Sequence, residues 1–219
     1  MNSEKKLLKK IINARFIKRK PLILSHLITN RCNANCPGCL WKNNTKSTEN
    51  ELDTGTIINL YQQAKDYGLM AVVIWGGEPL IRNDIDVVLS SAKRIGLLTS
   101  IITNGFYLPE KHSKIAPFLD LLLVSIVIPS PKNDDFFAIP GIFEKATKGI
   151  ELIKRANPNC KINIISLVNK LNRGYIKEIV QFSDNMNIPV TFQAMNTIDY
   201  GSTLTERDFS ELCLSLIHI

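Results

Sequence analysis

Residues 22–39 read LILSHLITNRCNANCPGC, and the fold turns on how they divide. Leu22 to Ile28 is a short apolar run of strand length. It passes straight into Thr29-Asn30-Arg31 and then three cysteines, Cys32, Cys36 and Cys39, spaced C-x3-C-x2-C. The Asn, Pro and Gly residues between them supply tight turns, so the thiols sit on a loop just past a strand end. Three thiolates this close can grip one soft metal centre. On a four-iron cluster they leave one iron without a protein ligand, open to a substrate. Two other readings stay open on spacing alone. A structural zinc module wants a fourth ligand, and the nearby His26 sits inside the apolar strand, where a core histidine is expected. A simple electron carrier wants a fourth cysteine.

Outward from this loop the chain alternates between two periods. Residues 54–67 read as a helix with Asp53 as N-cap, an Ile57, Leu60, Tyr61 and Ala64 stripe, and Gly68 as the stop. Met70 to Trp75 is a second strand and residues 84–95 a helix ended by Gly96. Leu97 to Thr103 is a third strand, followed by a short helix near 109–116. Leu121 to Ile128 is a fourth strand, 141–156 a helix, Lys161 to Val168 a fifth strand, 173–186 a helix, and Pro189 to Ala194 a sixth strand. Most of the strands are continuous apolar runs, as in a parallel sheet covered by helices. Repeated strand–helix units imply right-handed crossovers. The result is an α/β fold, either an open doubly wound sheet or a barrel-like wrap.

The second strand ends in Gly76-Gly77-Glu78-Pro79, where bare backbone can meet a small polar ligand and Glu78 offers a carboxylate to an amine. The third ends in Thr103-Asn104-Gly105. On the fourth, Ser125 is a hydroxyl inside an apolar run. All follow strand ends on the edge where parallel α/β folds bind ligands.

On the cysteine spacing, the Gly-Gly-Glu-Pro and the Thr-Asn-Gly, the chain resembles the radical S-adenosylmethionine (SAM) superfamily over residues 21–213. The resemblance implies a partial (β/α)6 TIM-like barrel. It implies a 4Fe-4S cluster on Cys32, Cys36 and Cys39, with the methionyl amine and carboxylate of SAM on the open iron. Gly76, Gly77 and Glu78 would contact the SAM amine, with Asn104 and Ser125 lining the same pocket. Reductive cleavage of SAM would then give a 5′-deoxyadenosyl radical that abstracts hydrogen from a substrate. Two positions depart from the pattern. Gly38 stands where an aromatic residue is frequent, with Trp41 as a substitute ring near adenine. Ile126-Val127-Ile128-Pro129 replaces an acidic residue and glycine after Ser125, which makes the pocket floor less polar.

Composition sets bounds on the rest. Hydrophobic residues make up 45% of the 219 residues and charged ones 21%, a globular balance. Neither a membrane-spanning run nor a signal peptide is read, so a cytoplasmic enzyme is expected. The clustered cysteines argue against a disulfide scaffold; Cys160 and Cys213 are expected as small buried residues. The net charge of +7 resides in residues 1–20, and the remaining basic and acidic residues balance. No nucleic-acid partner is therefore expected. Residues 1–20 read as a basic amphipathic helix with Leu7, Leu8, Ile11, Ile12 and Phe16 on one face. Such a helix either packs on the domain or docks on an anionic membrane surface or an acidic partner. Residues 21–213 are expected to form the radical SAM core that the resemblance implies. Leu214 to Ile219, LSLIHI, reads like translated sequencing adaptor and is expected to be a non-native tail. The expected partners are a small-molecule, lipid or peptide substrate and an electron donor such as a flavodoxin or ferredoxin.

Overall fold

Asp53 caps the first long helix as its sequence demands, its carboxylate accepting from the Thr56 backbone N–H at 2.9 Å. Gly68 closes that helix in the left-handed conformation. The same logic repeats along the chain in this computed structural model, which describes residues 3–13, 20–37, 39, 48 and 51–194. The helices are α1 Ser3–Ile12, α2 Thr54–Tyr67, α3 Ile85–Ile95, α4 Leu108–Ile115, α5 Lys132–Phe137, α6 Ile142–Ala156 and α7 Ile176–Met186. The strands are β1 Ile23–Thr29, β2 Ala71–Gly76, β3 Leu98–Thr103, β4 Leu121–Ser125, β5 Lys161–Val168 and β6 Val190–Ala194.

All six strands run parallel in the order β1-β2-β3-β4-β5-β6. This order resolves the choice left by the sequence. Successive right-handed crossovers between neighbours put every helix on one face, so the sheet wraps like a barrel instead of being wound from both sides. Among the described residues β1 and β6 do not pair, and the barrel is partial. Val72, Ile74, Ile101, Leu122, Val124, Ile162 and Ile164 face the helices and join Ile57, Tyr61, Val88, Leu89 and Ile150 in the main core. Their alternates, Val73, Trp75, Ile102, Leu123 and Asn163, are half-buried on the concave side. The apolar runs thus arise because both faces are apolar, although helices cover only one.

Two differences from the sequence reading matter. β4 stops at Ser125, because the Asn133 carboxamide oxygen accepts from the N–H groups of Val127 and Ile128 at 3.0 and 3.1 Å. The segment after it folds into α5, which apolar periodicity did not reveal. Its Phe136 and Phe137 form a second buried cluster with Val127, Ile128, Ile139 and Ile142. At the N-terminus, α1 leaves Leu8 57% and Ile12 46% exposed, so these two side chains are not packed on the domain. No helix among the described residues is long and apolar enough to cross a membrane. Cys160 is buried in the main core as expected; Phe16, Gly38, Trp41, Cys213 and Leu214–Ile219 lie outside the described residues.

Candidate active site

The loop after β1 is fastened to the end of β2 by backbone alone. Gly77 N–H donates to Thr29 O and Glu78 N–H to Arg31 O, both at 2.8 Å. This approach requires glycine. A Cβ on Gly76, whose φ is +141°, would stand 2.3 Å from Thr29 O, and one on Gly77 would stand 2.1 Å from Arg31 O. The sequence suggested that the glycines admit a ligand; their first task is to admit the cysteine loop.

Cys32, Cys36 and Cys39 line one cleft with Gly76, Gly77, Asn104 and Ser125. Trp75, Ile102, Ala34 and Phe137 complete its apolar wall. The loop turns on Cys39 N–H donating to Cys36 O at 3.3 Å, and Ala34 N–H points at the Cys32 sulfur at 3.4 Å. Burial pushes the Cys32 thiol up to about 11. Burial, helped by the neighbouring Cys39 and Cys32 sulfurs, pushes Cys36 up to about 12. Both are therefore protonated at neutral pH until a metal displaces the proton.

Three thiols on one cleft are a soft donor set with the chemistry to hold a metal centre. A tetrahedral zinc with sulfur at about 2.3 Å draws its ligands together at one point. Among the described residues, no three of the Cys, His, Asp and Glu side chains converge in that way. His26 is turned to the helix side, its Nδ1 2.8 Å from the Tyr61 hydroxyl.

Glu78 lies elsewhere than the expected amine contact. Its carboxylate is fully buried and does not line the cleft. One oxygen accepts from Leu80 N–H at 2.9 Å and Thr103 Oγ1 at 2.7 Å, and the other from Asn104 N–H at 2.8 Å. Burial pushes its pKa up to about 7 against those bonds. Glu78 thus joins the Gly-Gly turn to the Thr-Asn-Gly turn. Asn104 carries the connection onward: its Oδ1 accepts from Phe106 N–H at 3.0 Å, and its Nδ2 donates to Asn33 Oδ1 at 2.8 Å. Three loops are held in register.

Sequence reasoning missed a charged clamp behind the cysteines. Arg31 donates from Nε and Nη2 to both oxygens of Glu51, at 2.8 and 3.0 Å. Arg82, only 6% exposed, reaches Glu51 at 3.2 Å, Asp84 at 2.9 and 2.7 Å, and Leu52 O at 3.2 Å. Burial works against the Glu51 carboxylate, but hydrogen bonds from Arg31 and Thr29 hold its pKa below the usual range. Hydrogen bonds from Arg82 draw Asp84 down to about 2. These residues are far apart in sequence, and no motif announces them. Phe137 was missed for the same reason. Asn35 N–H donates to its carbonyl at 3.0 Å, so α5 backs the cysteine loop. Ile126, Val127 and Ile128 are buried and do not line the cleft; the apolar contribution expected of them comes from Phe137.

A sequence model of the radical SAM superfamily matches residues 27–183, the greater part of the chain. The chain belongs to the radical SAM superfamily. The membership of this radical SAM protein in a superfamily of enzymes implies a 4Fe-4S cluster and SAM as cofactors. It is 27% identical over 162 residues to an AdoMet-dependent heme synthase of Oleidesulfovibrio alaskensis, covering 73% of this chain and 41% of that one. It is 26% identical over 195 residues to the Fe-coproporphyrin III synthase of Methanosarcina barkeri, covering 88% and 48%. The chain thus spans less than half the length of these curated relatives. Its fold superimposes on Streptococcus suis SuiB bound to S-adenosylmethionine with a TM-score of 0.74 at 20% identity, covering 97% of this chain and 51% of that one.

Proposed function

We propose that this chain carries the catalytic core of a radical SAM enzyme, with Cys32, Cys36 and Cys39 as the cluster ligands. The observation that carries the reading is the single cleft shared by the three thiols, Gly76, Gly77, Asn104 and Ser125. When bound, the cluster and SAM supply a one-electron reductive cleavage whose 5′-deoxyadenosyl radical takes hydrogen from the substrate. The protein's own residues bind, orient and shield. The backbone of Gly76 and Gly77 would meet the SAM amine, while Glu78 positions it by holding the Asn104 turn. Asn104 and Ser125 offer an amide and a hydroxyl to the rest of SAM. Phe137 and Ala34 keep water from the thiols.

The names of the two relatives support a cofactor precursor as substrate, in preference to a peptide. A small flavodoxin or ferredoxin would supply the electron. The exposed Leu8 and Ile12, on a helix whose sequence also holds four lysines, support α1 docking peripherally on an anionic membrane.

Anaerobic reconstitution should give about four irons per chain, with 5′-deoxyadenosine formed from SAM under dithionite. Cys36→Ala should abolish that product. Stoichiometric zinc with no iron taken up would overturn the reading.

A further inference from the structure

Below the rim of the cleft, the concave face of the sheet presents two rows of side chains. In the upper row Ser125 lies opposite Ile165, and Ile165 opposite Thr191. In the lower row Leu27 lies opposite Trp75, Ile102 opposite Leu123, and Leu123 opposite Asn163. Trp75, Ile102 and Ser125 line the same cleft as the cysteines, so both rows look into it. Neither row contains an acidic or a basic side chain. Their polar groups are hydroxyls, the Trp75 indole N–H, which donates to Ser25 Oγ at 2.8 Å, and one carboxamide, whose Asn163 Nδ2 donates to Thr191 Oγ1 at 2.8 Å. Asn163 Oδ1 is buried and has no hydrogen-bond partner among the described residues.

A charge pressed against such a wall loses its water and gains no counter-charge, a cost of several kcal/mol or more. Apolar surface gains from the same burial. The geometry points to a substrate whose inserted portion, lying on Trp75, Ile102 and Leu123, is uncharged and largely hydrocarbon. Any ionised group of the substrate stays outside these rows. This deepens the reading of the cleft as a SAM site and rests on it. It commits to substrate, because the rows are continuous with the thiols where the radical would be made.

The test uses iron-reconstituted protein with SAM and three probes of one ring: cyclohexanol, cyclohexanecarboxylate and cyclohexylammonium. Saturation-transfer NMR titrations should give cyclohexanol a dissociation constant at least tenfold below that of either ion. Leu123→Lys should reverse the order in favour of the carboxylate, and Trp75→Ala should weaken cyclohexanol binding about tenfold. A smaller preference in the wild type, or no binding of any probe, overturns the inference. The wild-type comparison stands whether or not the variants fold. Failure of SAM cleavage with cyclohexanol still bound would instead sink the cofactor assignment.

Discussion

Replacing Gly77 by alanine isolates what the Gly-Gly turn is for. The new methyl would lie 2.1 Å from Arg31 O, about 1.3 Å inside the 3.4 Å at which ordinary contact begins. The obstacle is backbone, so no rotamer relieves it, and the cysteine loop must retreat by about that distance. Retreat breaks the two hydrogen bonds from Gly77 and Glu78 N–H, each worth about 1 kcal/mol net. The loss of stability should therefore be about 2 kcal/mol. Misplacement of Cys32 by about 1 Å should lower the rate of 5′-deoxyadenosine formation about a hundredfold. Iron content after reconstitution, chemical denaturation and that product assay measure the three effects. Gly174→Ala is the matched control, since an added Cβ there meets nothing within 4 Å and its φ is ordinary. If Gly77→Ala kept full iron and wild-type rate, the close-approach argument would be refuted.

The buried Glu78 makes stability pH-dependent. Its folded pKa of about 7 exceeds the ordinary 4.5, so its contribution is complete below about 4.5 and lost as pH rises through 7. At 1.36 kcal/mol per unit this is about 3 kcal/mol. Glu78→Gln should flatten the decline in urea midpoint between pH 5 and 8; parallel curves for variant and wild type would count against it. Glu51→Ala strands Arg31, while Arg82 keeps Asp84, and should cost about 2 kcal/mol, seen as a lower thermal midpoint and faster iron loss to a chelator. Unchanged values would mean that the clamp is dispensable. Co-sedimentation with vesicles rich in phosphatidylglycerol should fall at least fivefold in a Leu8→Glu, Ile12→Glu double variant, while SAM cleavage stays unchanged.

Local signals made most of the fold readable. Asp53, Gly68 and Gly96 punctuate helices by backbone chemistry, which depends on neighbours in sequence, and those helices lie where expected. The end of β4 was not readable, because Asn133 stops it with a side chain several residues ahead. Cys32, Cys36, Cys39 and Gly76 could be placed at one rim because each follows a strand. The direction of Glu78 could not, since it depends on Thr103 and Asn104 arriving from another strand. The Arg31–Glu51–Arg82 clamp lay beyond reach for the same reason: charges far apart in sequence meet only after the sheet has formed.

The unpaired edges of β1 and β6 have a mechanical consequence. A closed barrel has its girth fixed by strand number and stagger, and changing it would break a ladder of hydrogen bonds. Among the described residues this sheet is open between its first and last strands, so a change in its curvature need break no ladder among them. The caliber of the lumen is then set by what fills it, and one scaffold can close around guests of different bulk.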